Sequence, residues 1–579
     1  YVLCDSATFG NWRNNLLIIA DDEDDNTHFA QAEKLCKRIE GQNRILNIDK
    51  IYFDAYRQIN TPGGGRFPDA QRDINSQVEK GVLITNYIGH GGELGWADER
   101  VLEIKDIEAW NNFNQMGLFF TATCEFSRFD DPQHTSAGEL VFLNPVGGAI
   151  AMITTTRLAY SSINETLNYS FIDTVMSKTG GIPRFGDIVK YTKNKHNPHP
   201  NMRHLTLFGD PAMQILLPQF NVVTTSVIDP ATLMAVDTLR ANSKVVINGE
   251  IQDNNGQLID NFNGEVSVKI FDKTSIYRTL GQDSNSDPAN FKVQKNIVYQ
   301  GKAIVEQGTF SITFPVPRDI DYNYGNGKIS YYATDGYQDA NGFDDSIVIG
   351  GSKPGNNSDE EGPQITLWIN DTTFIEGGLT GENPRLLVRL FDESGINTLS
   401  SGVGHDLTAT LDGNSYNSVL LNDFYIADLN TFKSGNARYK FFGLEDGEHT
   451  ITVKAWDVFN NSSEKSITFV VKHDIRLNID DVIAYPNPSR DKVWFRFKHN
   501  LFDEILNIEI EIYNSSGGLV RVLNPGKITA NGYIVDEIAW DGLSDEGKLL
   551  RNGLYIARVK VLDRNNNSSA HSVKIVMAR

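Results

Sequence analysis

Short unbroken apolar runs punctuate the first part of the chain: Leu16–Ala20, Val82–Ile88, Leu118–Ala122 and Ala149–Ile153. Between them lie stretches of helical periodicity, Thr27–Glu40, Ile104–Phe113 and Leu167–Ser177. A strand buried on both faces reads as a continuous apolar run, because neither face can carry polar side chains. Such runs alternating with amphipathic helices predict an α/β domain over residues 1–217, with a mainly parallel sheet covered on both faces. Val146–Ile153 is far shorter than the ~20 residues that span a bilayer and contains glycines, so it is read as a buried strand.

After Leu217-Pro218 the period changes. Lys244-Val245-Val246-Ile247-Asn248 and Glu265-Val266-Ser267-Val268-Lys269-Ile270 alternate apolar and polar residues, and turn signals such as Asp253-Asn254-Asn255-Gly256 separate the runs. Period-two alternation with frequent turns predicts all-β sandwich modules of immunoglobulin-like type. Three are expected, over 218–352, 364–473 and 477–579. The polar, Gly/Pro-bearing stretch Lys353–Pro363 links the first two.

Composition narrows the function classes. The 579 residues are 40% hydrophobic and 22% charged, as in ordinary globular proteins, and their length suits about four domains. The net charge of −21 repels phosphate backbones, so no nucleic-acid partner is expected. The chain opens at Tyr1 without Met or an apolar leader, which reads as a processed or partial chain. Three cysteines, Cys4, Cys36 and Cys124, are too few for a disulfide framework, and the odd count leaves a free thiol. Cys4 and Cys36 are read as packing residues.

The chemistry concentrates at two strand ends. Val82-Leu83-Ile84-Thr85-Asn86-Tyr87-Ile88 runs straight into Gly89-His90-Gly91-Gly92, and Leu118-Phe119-Phe120-Thr121-Ala122 into Thr123-Cys124-Glu125. Open α/β sheets bind ligands at the carboxyl ends of their strands, so His90 and Cys124 are expected on one edge. A thiolate is the working nucleophile of such a pair, and an imidazole can take its proton. Glycines beside His90 admit a substrate backbone, and the N–H groups of Gly91 and Cys124 are candidates for an oxyanion hole.

These segments, "NYIGHGG" and "TATCEFSRFDDP", resemble the gingipain family of cysteine peptidases within the caspase-like clan. "FGNWRNNLLIIADD" (Phe9–Asp22) and "LTLFGDPAM" (Leu205–Met213) resemble the family's opening and closing segments. The resemblance implies a catalytic dyad of Cys124 and His90, with an acidic partner for the histidine after the first strand. Asp21 or Asp22 matches that place, and a solvated acidic loop or a structural calcium site is the alternative for the same run. No required cofactor and no catalytic metal are implied. For a basic substrate side chain the acidic candidates are Asp25, with His28 three positions on, and Glu125, although a specificity pocket is not assigned. His196, His199 and His204 are read as loop residues rather than a zinc site, and Asp335–Asp345 as a solvated acidic turn with calcium as the alternative.

The last module carries a second resemblance. Ala484-Tyr485-Pro486-Asn487-Pro488-Ser489, "IAWDGLSDEGKLLRNGLYIARV" (Ile538–Val559) and the closing "SVKIVMAR" are similar to the C-terminal signal of proteins exported by the type IX secretion system of Bacteroidetes. In combination, the segments resemble the sortase branch of the gingipain family, which cuts C-terminal signals from cargo and joins the cargo to anionic lipopolysaccharide. That resemblance implies three partners: cargo proteins with C-terminal signal domains, an outer-membrane β-barrel docking protein and the lipopolysaccharide acceptor. It also implies a peripheral place at the bacterial cell surface, on the outer leaflet side of the outer membrane. A secreted gingipain-like endopeptidase and a non-catalytic adhesion protein are the other readings.

Overall fold

The structure is a computed structural model. It describes residues 6–177, 181–195, 199, 201–215, 217–283, 286–354, 359–400, 404–502, 504–529 and 532–579. Cys4 and His196 lie outside the described residues.

The N-terminal domain is built on a six-stranded sheet. Its strands are β1 (Asn15–Ala20), β2 (Asn47–Tyr52), β3 (Ile84–Ile88), β4 (Leu118–Ala122), β5 (Ala151–Thr155) and β6 (Leu205–Phe208). In space they run β6-β5-β4-β3-β1-β2. The pairs β1–β2, β1–β3, β3–β4 and β4–β5 are parallel, and β5–β6 is antiparallel. Alternate residues of β1 enter opposite cores. Leu16, Ile18 and Ala20 pack with Ala32, Leu35, Cys36 and Ile39 of helix α1 (Thr27–Gln42). Leu17 and Ile19 pack with Ala70, Ile74 and Val78 of helix α2 (Pro68–Lys80). The spacing of those four α1 residues is one face of a helix, which is why the segment coils as it does. Pro68 opens α2 where its missing N–H costs nothing, and Gly81 closes it at φ 87°.

Several boundaries differ from the sequence reading: the helix read over Ile104–Phe113 ends at Ala109, and the one read over Leu167–Ser177 spans Ser161–Val175. The strand read over Val146–Ile153 begins only at Ala151. Gly148 sits at φ 85°, and a Cβ there would lie 1.9 Å from the Val141 carbonyl oxygen, so the residues before Ala151 make a tight turn.

The first β module is a correction. The expected sandwich is a closed seven-stranded barrel. Its strands are β7 (Phe220–Ile228), β8 (Lys244–Gln252), β9 (Gly264–Phe271), β12 (Ile297–Glu306), β13 (Thr309–Pro315), β14 (Lys328–Thr334) and β15 (Asp339–Asp344), and β10 (Ser275–Arg278) with β11 (Asn290–Val293) form a separate hairpin. Closure comes from β15 pairing in parallel with the start of β7, Phe220 opposite Ala340. That contact removes both free edges, a choice that alternation within single strands does not encode. The next module stacks a four-stranded sheet, which includes Gln364–Ile369 and Arg385–Phe391, with a five-stranded sheet that includes Gly447–Trp456 and Ser462–Val471. The last stacks a three-stranded sheet on a four-stranded one and ends with Gly553–Leu562 and Ser568–Met577.

The modules are joined by buried polar contacts. Arg13 Nη1 and Asp339 Oδ2 pair at 2.6 Å between the α/β domain and the barrel, with the two side chains 1% and 6% exposed. Asp423 of the next module pairs with Lys80 on α2 and with Lys269 on β9, so three domains meet at one carboxylate. The β10–β11 hairpin reaches from the barrel onto the α/β domain. Its Phe291 packs edge-on against Phe29 and Tyr52, and Asp54 accepts from the N–H groups of Gly281 at 2.7 Å and Gln282 at 2.9 Å.

In the last module, burial pushes the imidazole of His499 down to about 4. The neutral ring is therefore favoured by the fold, and its contribution is fully present above the ordinary value of 6.5. It is lost as pH falls from 6.5 through about 4, with a total on the order of 3 kcal/mol. Thermal unfolding of the full chain should show its last module losing stability over that window, and His499→Phe should flatten that part of the slope. An unchanged slope in the variant would show that other groups set it.

Candidate active site

The register of the sheet places the two reactive side chains. Ile84 to Ile88 of β3 pair in order with Leu118 to Ala122 of β4. His90 lies two residues past Ile88 and Cys124 two past Ala122, so both leave the sheet at the same level on neighbouring strands. On the other side of β3, Ala20 pairs with Ile88, which puts Asp21 and Asp22 at that edge as well. Gly91 packs directly on Thr123: a Cβ on Gly91 would meet Thr123 Oγ1 at 2.6 Å.

Five side chains surround His90. Asp21 Oδ2 accepts from its backbone N–H at 2.7 Å, and the Tyr87 hydroxyl donates to its carbonyl. Its ring Nε2 lies 3.1 Å from Asp24 Oδ2 and 3.5 Å from Glu23 Oε2. His28, buried on α1, meets the His90 ring edge-on with centroids 5.2 Å apart. Half-burial of His90 opposes its charged form, but the carboxylates of Asp21, Glu23 and Asp24 outweigh that and raise its pKa. For His28 burial dominates and lowers the pKa. The arrangement sets an imidazole pushed toward its charged form beside one pushed toward its neutral form.

Cys124 is half-buried and free. The Ala159 N–H donates to its Sγ at 3.3 Å, and the thiol lies 3.5 Å from the Ala159 carbonyl. Among the described contacts it is not hydrogen-bonded to His90. Among the described contacts no protein acceptor takes the N–H of Cys124, which leaves it available to an oxyanion. Glu125 follows at φ 49°, a sharp left-handed turn that lifts the nucleophile off the strand. Cys36 is its opposite: fully buried, against the Tyr52 hydroxyl at 3.6 Å, with burial pushing its thiol up to about 12.

The sequence-predicted residues separate here. Cys124, His90, Gly91 and Asp21 come together. Asp22 does not reach the His90 ring. It points to Glu99 and Asp283, burial and those neighbouring carboxylates raise it to about 9, and Glu99 is likewise raised to about 7. Asp25 is exposed at φ 54°. Glu125 stands among Arg128 and Arg157, whose own partners are Glu93 at 2.6 Å and Asp130 at 2.9 Å, so cations already surround it. His199 accepts from the Asn201 N–H at 3.2 Å, and His204 Nδ1 lies 3.0 Å from the Leu158 carbonyl. Asp335 accepts from the N–H groups of its own turn, at Tyr337 and Gln338, but the rest of Asp335–Asp345 corrects the reading as a solvated acidic turn: Asp339–Asp344 form a barrel strand, and Asp339 is buried against Arg13. Reading by sequence missed the roles of Asp24, Glu23 and Ala159. The acidic run was visible, but which carboxylate turns to the ring depends on the left-handed backbone at Asp24, Asp25 and Asn26.

Gly89 is the tightest position of the site. A Cβ there would lie 2.4 Å from Asp21 Cβ and 2.7 Å from Tyr87 Oη. Gly89→Ala should push the His90 loop from Asp21 and lower kcat on the order of 10²-fold, with the overall melting profile little changed. Wild-type kcat in a steady-state peptide cleavage assay would show the loop tolerates the methyl group.

Residues 1–216 match the family described as Peptidase family C25. Gingipain R1 of Porphyromonas gingivalis is 24% identical over 254 residues, covering 39% of this chain and 25% of its own length. The chain thus spans about a quarter of that relative. Of solved structures, dimeric latent PorU from Porphyromonas gingivalis shares 26% identity over 95% of this chain and 49% of its own, with a TM-score of 0.29. The Arg-specific cysteine proteinase gingipain R shares 16% over 58% of this chain and 68% of its own, with a TM-score of 0.31. The part of the chain that carries His90 and Cys124 at adjacent strand ends, residues 1–216, is thus the part that matches Peptidase family C25 and is similar to the gingipains.

Proposed function

We propose that this peptidase is a sortase of type IX secretion, which removes C-terminal signal domains from cargo and transfers the cargo to an amine on anionic lipopolysaccharide. The observation that carries the chemical part is the level placement of His90 and Cys124 on paired strands. His90 takes the thiol proton, and Sγ attacks the carbonyl carbon at the cargo junction. The C–N bond breaks, His90 returns the proton to the leaving amine, and the cargo remains as a thioester. The acceptor amine then attacks the thioester, gives a proton to His90 and releases the Cys124 thiol. Attack by water instead would give hydrolysis from the same intermediate.

The transfer reading draws support from the chain's last module, whose sequence resembles the signals that cargo loses. That module is docked on its neighbour, where Asn370 Nδ2 donates to Tyr533 Oη at 2.8 Å and Arg385 covers the Phe502 ring at 5.4 Å. In this reading the module is a contact for an outer-membrane β-barrel partner. Among the described residues no helix is long and apolar enough to cross a membrane.

The test is Cys124→Ala in the native bacterium, following the size and lipid attachment of secreted proteins that bear such signals. Accumulation of uncut, unlipidated cargo supports the sortase reading. Normal maturation overturns it and favours a digestive endopeptidase.

A further inference from the structure

Where three domains meet, the fold leaves a cavity of about 1000 Å³. Its wall comes from α2 and residues 111–115 of the α/β domain, from β12 of the barrel and from Ser434–Lys440 of the next module. Helix α2 ends at Lys80, just before β3, and residues 111–115 precede β4, so the cavity lies at the amino ends of these strands. His90 and Cys124 lie past the carboxyl ends of the same strands. Every carboxylate on the wall is already held by a cation. Glu79 has Lys440 at 3.0 Å, Glu265 has Lys302 at 3.0 Å, Asp428 has Arg389 at 2.7 Å, and Asp423 has both Lys80 and Lys269. Arg438, exposed on the wall, pairs with no carboxylate among the described residues. The chain carries 74 acidic and 53 basic residues, so a wall with positive charge to spare runs against its average. Amide side chains crowd the same wall, among them Asn111, Asn114, Gln300 and Asn436. Gln300 is 3% exposed, and its Oε1 is buried with no hydrogen-bond partner. Leaving a buried acceptor unmet is costly. Phe113, 47% exposed, adds an aromatic face.

We propose that this cavity binds an acidic oligosaccharide, one whose rings carry a carboxylate or a phosphate. The Arg438 guanidinium is a fork that matches either anion. Amides both donate and accept, so Gln300 and its neighbours can read ring hydroxyls, and the Phe113 ring can pack on the apolar face of a sugar. The volume is at the upper end of the ~300–1000 Å³ of small-molecule sites, which leaves room for a short oligosaccharide. An acidic peptide fits less well, because its side chains bring few donors for Gln300 Oε1, whereas each sugar ring brings several hydroxyls. The inference stands apart from the sortase reading. Roughly 17 Å of strand separates this end of the sheet from the end that carries Cys124, so a ligand here is not the group that reacts with the thioester.

The test is calorimetric titration of the full chain with trigalacturonate and with a phosphorylated mannotriose, which separate the two anions. Maltotriose, inorganic phosphate and a hexa-aspartate peptide are the comparisons. The expected result is that one of the charged sugars binds, and that maltotriose, phosphate and the peptide bind at least about tenfold more weakly. Arg438→Ala should weaken the charged sugar about tenfold, and Gln300→Leu by a similar factor, while Arg558→Ala in the last module changes nothing. Arg438 is exposed, so its variant should melt like wild type, and it carries the test if the buried Gln300 variant fails to fold. No binding of either charged sugar overturns the site, as does binding that Arg438→Ala leaves unchanged. Equal affinity for phosphate alone would mean an anion site only, equal affinity for maltotriose would mean that charge is not read, and tighter binding of the peptide would make the cavity a peptide groove. Each of these also overturns the proposal.

Discussion

Replacing Cys124 by alanine is expected to lower kcat for peptide cleavage on the order of 10⁴-fold or more, and His90→Ala nearly as far. The reasoning is chemical. A methyl group cannot form the thioester, and without the imidazole nothing level with the thiol can take its proton at neutral pH. Because the two act in one step, their losses should not multiply: the double variant is expected to be about as slow as Cys124→Ala alone. Neither substitution touches a packed core, since Cys124 is only half-buried and its Sγ meets just the backbone of Ala159. Melting curves should therefore stay close to wild type, separating lost chemistry from lost fold. Steady-state kinetics on an unstructured peptide, run beside thermal unfolding, checks all of this. A His90→Ala enzyme with most of its activity would remove His90 as the base. Losses that multiply would mean the two residues act independently.

The second large effect lies far from the chemistry. Asp339→Ala is expected to cost about 3–5 kcal/mol, because it strands the Arg13 guanidinium in a site that excludes water. The carboxylate does more than pair with Arg13. Its Oδ2 also accepts from the Tyr332 hydroxyl at 2.9 Å, which in turn accepts from the Gly10 N–H at 3.1 Å. Losing Asp339 therefore breaks a chain of contacts that seats the barrel against the first residues of the α/β domain. Urea unfolding of the full chain measures it. Removing both charges together, as Arg13→Met/Asp339→Leu, should restore much of the loss, since apolar side chains of similar volume need no partner in that space. A single variant within about 1 kcal/mol of wild type would show that water reaches the pair.

The placement of His90 and Cys124 shows how far a sequence can carry a site. Each follows an apolar run without a spacer, so the strand end delivers the side chain directly, and both runs are strong enough to recognise. Asp21 and Asp22 were legible only as a pair for the same reason at the end of β1, and the structure sets Asp21 on the His90 backbone N–H. Asp24 was not, because three successive residues with positive φ decide which carboxylate of the run turns to the imidazole. Strand β2 went unread as well. Asn47-Ile48-Asp49-Lys50-Ile51-Tyr52 is an edge strand with half-exposed, largely polar positions, and it lacks the continuous apolar signature of its neighbours. The barrel was unreadable in a deeper sense: nothing within β7 or β15 distinguishes a barrel from a sandwich, and only their pairing across more than a hundred residues closes the sheet.

The sequence by itself determined the α/β domain followed by β modules, the place of His90 and Cys124 just past buried strands, and Cys36 as a packing residue. Each of those rests on local pattern, on periodicity or on a side chain set directly after a buried strand, and local pattern is written residue by residue. Tertiary structure alone decided the closure of the barrel, the carboxylate that faces His90, the Arg13–Asp339 and Lys80–Asp423–Lys269 joints, and the meeting of Asp22 and Glu99 with Asp283. Those depend on which distant segments share a surface. That is settled by the packing of whole elements, where many weak contacts sum and no single stretch of chain records the outcome.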